Sequence, residues 1–132
     1  MPSPDELLAA ARKARELAYV PYSDFAVGAA LETADGTVVV GCNVENASYG
    51  MSICAERAAI VSAVAQGFRR FRAIAVAGPE GAVTSPCGAC RQFIAEFESA
   101  LPVYFTAPDA DIQTTIDKLL PYSFGPPSLQ ST

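Results

Sequence analysis

The apolar residues of the chain fall into short segments whose spacing switches between helical and extended. Between residues 3 and 18, Leu7, Ala11, Ala14 and Ala18 recur at helical spacing. Ser3 and Glu6 have the separation of a capping box, and Pro4 stands at the first helical position, so this stretch predicts an amphipathic helix. Pro21-Tyr22-Ser23-Asp24 reads as a turn. The runs Ala26 to Glu32 and Thr37 to Asn43, separated by Asp35-Gly36, predict a two-stranded hairpin. Residues 44–53, rich in Asn, Ser and Gly, predict a loop, and the alanine-rich stretch 54–66 a helix stopped at Gly67.

Further along, Arg72 to Ala77 predicts a short buried strand and Gly78 to Ser85 a loop. Cys87 to Phe97 returns to helix and Leu101 to Ala107 to strand. Pro108-Asp109 turns into a weaker strand near Ile112 to Thr115, and Thr115 to Leu120 predicts a short helix. Gly125 to Thr132, containing Pro and Ser, is expected to be an irregular tail. Strands therefore alternate with helices after an initial hairpin. The expected fold is α/β, a single domain over residues 1–132. It is a three-layer α/β/α sandwich, with a mixed five-stranded sheet carrying helices on both faces.

Composition agrees with a packed globule: 132 residues, 51% of them apolar, suffice for one well-buried core. The net charge of -5, from 9 basic and 14 acidic residues, narrows the partners. Nucleic-acid polymers and anionic membranes are bound by excess Lys and Arg, so neither is expected here. No apolar stretch approaches the ~20 residues of a membrane span. Met1-Pro2-Ser3-Pro4-Asp5-Glu6 has no basic segment leading into an apolar core, as a secretory leader would. The expected location is the cytoplasm, where cysteines stay reduced and clusters of them bind metal or do chemistry.

The chemistry concentrates in Cys54-Ala55-Glu56 and Pro86-Cys87-Gly88-Ala89-Cys90. The chain has no His, so a metal site must be built on thiolates and a general base on a carboxylate. Cys87 and Cys90 are three apart at a predicted helix start, so both face one point. Residues two apart on a regular helix diverge by ~200°. Cys54 and Glu56 therefore converge only if Cys54 is the cap, before helical dihedrals begin. Both helix N-termini would then offset the negative charge of three thiolates on one zinc ion and favour the ionised thiols. Two other readings of the cysteines stand beside this one. Cys87 and Cys90 fit a redox dithiol. Cys42 could close a four-cysteine structural site, although a strand Cys is more often a small buried hydrophobe.

Cys54-Ala55-Glu56 with Pro86-Cys87-Gly88-Ala89-Cys90 resembles the zinc deaminase signature in its three-cysteine form. Phe25-Ala26-Val27-Gly28-Ala29-Ala30-Leu31, Gly41-Cys42-Asn43-Val44-Glu45-Asn46-Ala47-Ser48-Tyr49 and Leu119-Leu120-Pro121-Tyr122-Ser123-Phe124 are similar to segments of the small homotetrameric cytidine deaminases. The resemblance runs from about residue 4 to Phe124. It implies one zinc per chain on Cys54, Cys87 and Cys90, activating a water for attack on C4 of cytosine. Glu56 is implied as the proton shuttle, and Arg57 as the cation that draws charge from the thiolates. The Ala55 backbone would fix the pyrimidine and Phe25 would pack against it. Asn43 and Glu45 would bind the ribose 3′-hydroxyl, and Ala47 and Tyr49 would line the 5′ side. Phe124 would cover the base of a neighbouring subunit. The implied activity is deamination of cytidine and 2′-deoxycytidine in pyrimidine salvage. A polynucleotide base deaminase, a deaminase of a nucleoside-like antibiotic and a non-catalytic zinc or redox module are the alternatives. The acidic charge and the Asn43-Val44-Glu45 segment weigh against the first two.

Overall fold

A computed structural model of the chain describes residues 1–129. Helix α1 spans Pro4–Arg15, and both halves of the Ser3/Glu6 capping box are formed. The hairpin follows as β1 (Gly28–Thr33) and β2 (Val38–Cys42), paired antiparallel. Helix α2 (Ala55–Ala65) leads to β3 (Phe71–Ala77), and α3 (Gly88–Ala95) leads to β4 (Pro102–Phe105). Strand β5 (Ile112–Thr115), α4 (Ile116–Leu119) and α5 (Pro126–Leu129) complete the order. The strands form one five-stranded sheet in the order β2-β1-β3-β4-β5. Only β3 and β4 pair in parallel, so the sheet is mixed, as expected.

Strand alternation sorts the core into two layers. On β3, Ile74 and Val76 join Leu31, Ile60, Ile94 and Val103 on the side covered by α2, α3 and α4. Ala73, Ala75 and Ala77 face the other way, with Ala30, against Leu7, Leu8 and Ala11 of α1. Small residues on that face let α1 close on the sheet. The other layer carries the bulk. A similar economy of side chain operates at Gly41 on β2. A Cβ there would stand 2.5 Å from Ala59 N and 2.6 Å from Ala55 O, so its absence seats α2 directly on the hairpin.

Several local expectations are corrected. The 44–53 segment is not a plain loop: Val44 and Ile53 form an antiparallel bridge, and Tyr49–Met51 is a 3-10 turn. The bridge brings the segment's two ends together and delivers the chain to Cys54. The region after Gly125 is not wholly irregular. Pro126, whose missing N–H costs nothing at a helix start, opens the single turn α5, with Ser128 N donating to Gly125 O at 2.8 Å. Residues 130–132 of the expected tail lie outside the described residues. Cys42 ends β2 half-buried, rather than buried as a core hydrophobe would be. Helix α1 stops at Arg15, short of Ala18.

Candidate metal and substrate site

Two helix starts meet at the site. Cys54 is the N-cap of α2, with extended dihedrals (φ -73°, ψ 153°), and Cys87 is the N-cap of α3 (φ -66°, ψ 169°). Each cysteine thus precedes the helical dihedrals, which lets Glu56 in the first turn of α2 face the same space as Cys54. Cys90, in the first turn of α3, is fully buried beneath them. The Sγ atoms of Cys54, Cys87 and Cys90 lie within 4.8 Å of one another, and Cys42 is not in the group.

The donor set fits a soft, tetrahedral cation such as zinc: three convergent sulfurs, positive helix ends and a neighbouring guanidinium. Arg57 Nη2 donates to Cys54 Sγ at 3.8 Å and to Ser52 O at 3.3 Å. The neighbouring Cys90 and then the Arg57 guanidinium hold the Cys54 pKa down to about 5. Cys54, with burial, pushes the Cys90 thiol up. The cluster therefore already favours a thiolate at one corner, the form that binds metal. Glu56 is 4% exposed, and burial followed by the Cys54 charge raises its pKa above the ordinary carboxylate value. A carboxyl so placed can hold a proton as well as yield one.

A cleft of about 280 Å³ opens over these groups, lined among others by Phe25, Asn43, Cys54, Ala55, Glu56 and Cys87. Val27, Val83, Thr84 and Ser85 also line it, and sequence reasoning did not single them out. Val83 to Ser85 immediately precede the Pro86-Cys87 turn, so adjacency to the ligands was the available signal.

The remaining expected site residues are placed differently. Asn43 lines the cleft, but its side chain is also a brace. Its Oδ1 accepts from Val27 N, and its Nδ2 donates to Phe25 O, both at 2.9 Å. Glu45 lines a neighbouring depression with Tyr22, Ser23, Tyr49 and Ser52 rather than the cleft itself. It accepts from Tyr22 N at 3.0 Å, Ser23 N at 3.1 Å and the Ser23 hydroxyl, and these bonds, led by the hydroxyl, lower its pKa. Tyr49 stacks edge-on against Tyr22 at 5.9 Å between centroids. Ala47 and Phe124 are exposed and line neither cavity.

Two residues near the expected aromatics have left-handed backbone: Asp24 (φ 58°), before Phe25, and Tyr122 (φ 55°), two before Phe124. Asp visits that region readily through its short polar side chain, whereas a bulky residue such as Tyr seldom does unless its surroundings impose it.

Comparison with known proteins adds a description that matches residues 1–106, the cytidine and deoxycytidylate deaminase zinc-binding region. The chain is similar to the cytidine deaminase of Sporosarcina psychrophila, at 54% identity over 122 residues, which cover 91% of this chain and 90% of that protein. It is 50% identical over 120 residues to the cytidine deaminase of Halalkalibacterium halodurans, covering 89% of this chain and 91% of that one. Among solved structures, the cytidine deaminase of Burkholderia pseudomallei superposes with a TM-score of 0.88 at 50% identity, covering 93% of this chain and 100% of that one. That of Mycobacterium tuberculosis superposes with a TM-score of 0.83 at 40% identity, covering 96% and 100% respectively.

Proposed function

Because this chain belongs to the cytidine and deoxycytidylate deaminase family, we propose that it hydrolyses cytidine and 2′-deoxycytidine to the uridine nucleosides and ammonia, in pyrimidine salvage. The observation that carries this reading is the convergence of three sulfurs and one buried carboxyl in a single cleft. A redox dithiol has no use for the third sulfur or for Glu56. A structural four-cysteine site would need Cys42, which stands apart from the cluster.

Cys54, Cys87 and Cys90 would hold one zinc ion per chain. Zinc, when bound, supplies the Lewis acidity that lets a water ionise near neutral pH. Glu56 takes one proton from the attacking water and delivers it to ring N3. It then takes the second from the C4 hydroxyl as the carbonyl forms and delivers it to the amino group, which leaves C4 as ammonia. Its burial supports this role, because a carboxyl with a raised pKa is a better proton donor-acceptor near neutrality. Arg57 draws charge from the Cys54 sulfur, which keeps the cation electrophilic despite three thiolates. The Ala55 backbone and the Phe25 ring form the base-binding wall.

Asn43 and Glu45 read the 3′-hydroxyl. Each keeps hydrogen-bonding capacity beyond its brace: an amide has two donors, and a carboxylate about four acceptor sites. Ala47 and Tyr49 flank the 5′ side. Phe124 serves the base of a second copy in a homotetramer. Phe124 (58% exposed), Tyr49 (75%) and Met51 (64%) leave large side chains open to solvent and so available to a partner surface. Among the described residues no helix is long and apolar enough to cross a membrane, in keeping with action on a free nucleoside in the cytoplasm.

The test is ultraviolet-monitored deamination by the zinc-loaded protein of cytidine, 2′-deoxycytidine, free cytosine, CMP and adenosine. Both nucleosides of cytosine should turn over well and free cytosine poorly, because a site built around a sugar hydroxyl leaves its own polar groups unpaired without one. Equal rates on cytosine and cytidine would refute sugar recognition. A zinc-loaded protein inert on all five would refute the function.

A further inference from the structure

The residue directly after the last sulfur ligand connects the metal turn to the C-terminal part of the chain. Arg91 is half-buried, and its guanidinium faces two carbonyls belonging to segments far apart in sequence. Its Nε donates to Pro86 O at 2.7 Å, and its Nη1 to Leu119 O at 2.9 Å. Pro86 is buried and immediately precedes Cys87, so the first bond fixes the peptide that carries a metal ligand. Leu119 ends α4, where last-turn carbonyls lack helical partners and accept readily from a cation. The next residue repeats the reach: Gln92 Nε2 donates to Phe124 O at 2.8 Å. Arg91 and Gln92 thus hold both ends of residues 119–124, the segment in which Tyr122 has φ 55°.

We propose that Arg91 is a positioning residue that fixes the Pro86–Cys90 ligand turn against the end of α4, and so makes metal retention depend on the anchoring of that turn at Leu119. The inference rests on the zinc reading of the three cysteines. Its physical basis is the shape of the guanidinium, a planar fork that serves two carbonyls at once, whereas a lysine ammonium is a point donor on a flexible stem. With the fork removed, the Pro86 carbonyl loses its partner and Cys87, exposed at the helix cap, is free to move away from the other sulfurs. Groups that orient metal ligands in this way are worth roughly 10–100-fold in metal affinity.

The experiment is zinc release to a chromophoric chelator from the full-length protein, below its unfolding temperature, with circular dichroism and thermal unfolding as controls. Arg91→Ala should release zinc at least ~10-fold faster than wild type, within the range for such groups. Arg91→Lys, which keeps the charge but not the fork, should fall between them. Gln92→Ala leaves the Pro86 carbonyl bonded, so it should release zinc at the wild-type rate and raise KM alone. Release from folded Arg91→Ala within twofold of wild type would overturn the proposal. If Arg91→Ala does not fold, Arg91→Lys decides: faster release supports the proposal, and a wild-type rate overturns it. A wild-type protein that binds no zinc would instead overturn the reading of the cysteines.

Discussion

Asn43→Ala separates two roles that this side chain could play. As a brace, Asn43 bonds both Val27 N and Phe25 O at 2.9 Å, and so holds the strand entry that carries two residues of the cleft wall. Truncation leaves a half-buried Val27 N–H unpaired, at a cost of about 1–3 kcal/mol. The Phe25 carbonyl lies at an exposed residue, where water can replace the lost donor, so its loss adds about 0.5–1 kcal/mol. The sum of about 1.5–4 kcal/mol lowers Tm by roughly 5–15 °C for a domain of this size. A residue that only contacted the sugar would leave Tm unchanged and raise KM. The assay is thermal unfolding of the zinc-loaded variant, beside kcat and KM on cytidine. We expect a lower Tm together with a fall in kcat/KM, because Phe25 and Val27 shift when the brace is lost. Asn43→Asp keeps the acceptor for Val27 N but turns a carboxylate oxygen toward Phe25 O, so it too should melt below wild type. An unchanged Tm in Asn43→Ala would refute the reasoning.

Glu56→Gln preserves size and hydrogen bonding but cannot relay protons, so zinc content measured by metal analysis should stay at one per chain while turnover falls by at least ~10²-fold. Near-normal turnover in a zinc-replete variant would remove Glu56 from the mechanism. Phe124→Ala should raise KM, and refolding it together with inactive Glu56→Gln chains should restore some sites of full function, because one mixed arrangement draws Glu56 and Phe124 from intact copies. Mixtures that never exceed the activity of Phe124→Ala alone would place Phe124 outside a neighbour's site.

The parts of the site that were legible in the sequence are those governed by geometry within one helical turn. The ~200° divergence of residues two apart required Cys54 to be a cap if it was to share a site with Glu56, and the dihedrals at Cys54 are those of a cap. Cys87 and Cys90 needed only the three-residue spacing of a first turn. The strands were legible for a similar reason: apolar runs bounded by turn residues such as Asp35-Gly36 are local signals. What could not be read was every arrangement in which a side chain reaches a backbone far away. Glu45 bonds the backbone at Tyr22 and Ser23, Asn43 that at Phe25 and Val27, and Arg91 the carbonyl of Leu119. Each would pass as a solvated polar residue on periodicity or spacing, because the partner is a backbone group that any residue type can supply.

This division follows from what each half of the site must do. Metal ligands tolerate little displacement, and a helix N-cap on a close-packed sheet fixes them with few residues: Gly41 seats α2, and Arg91 ties the α3 cap to Leu119. A pocket for a nucleoside must instead be assembled from separate stretches, because no single element curves around a base and a sugar. In the proposed reading those stretches are 22–27, 43–49 and 83–87, and short side chains such as Asn43 and Ser23 join the first two. Such a wall depends on braces that carry no metal ligand themselves. Substitutions at Asn43, Glu45 or Ser23 should therefore change KM and stability together, even in variants that bind zinc as well as the parent does.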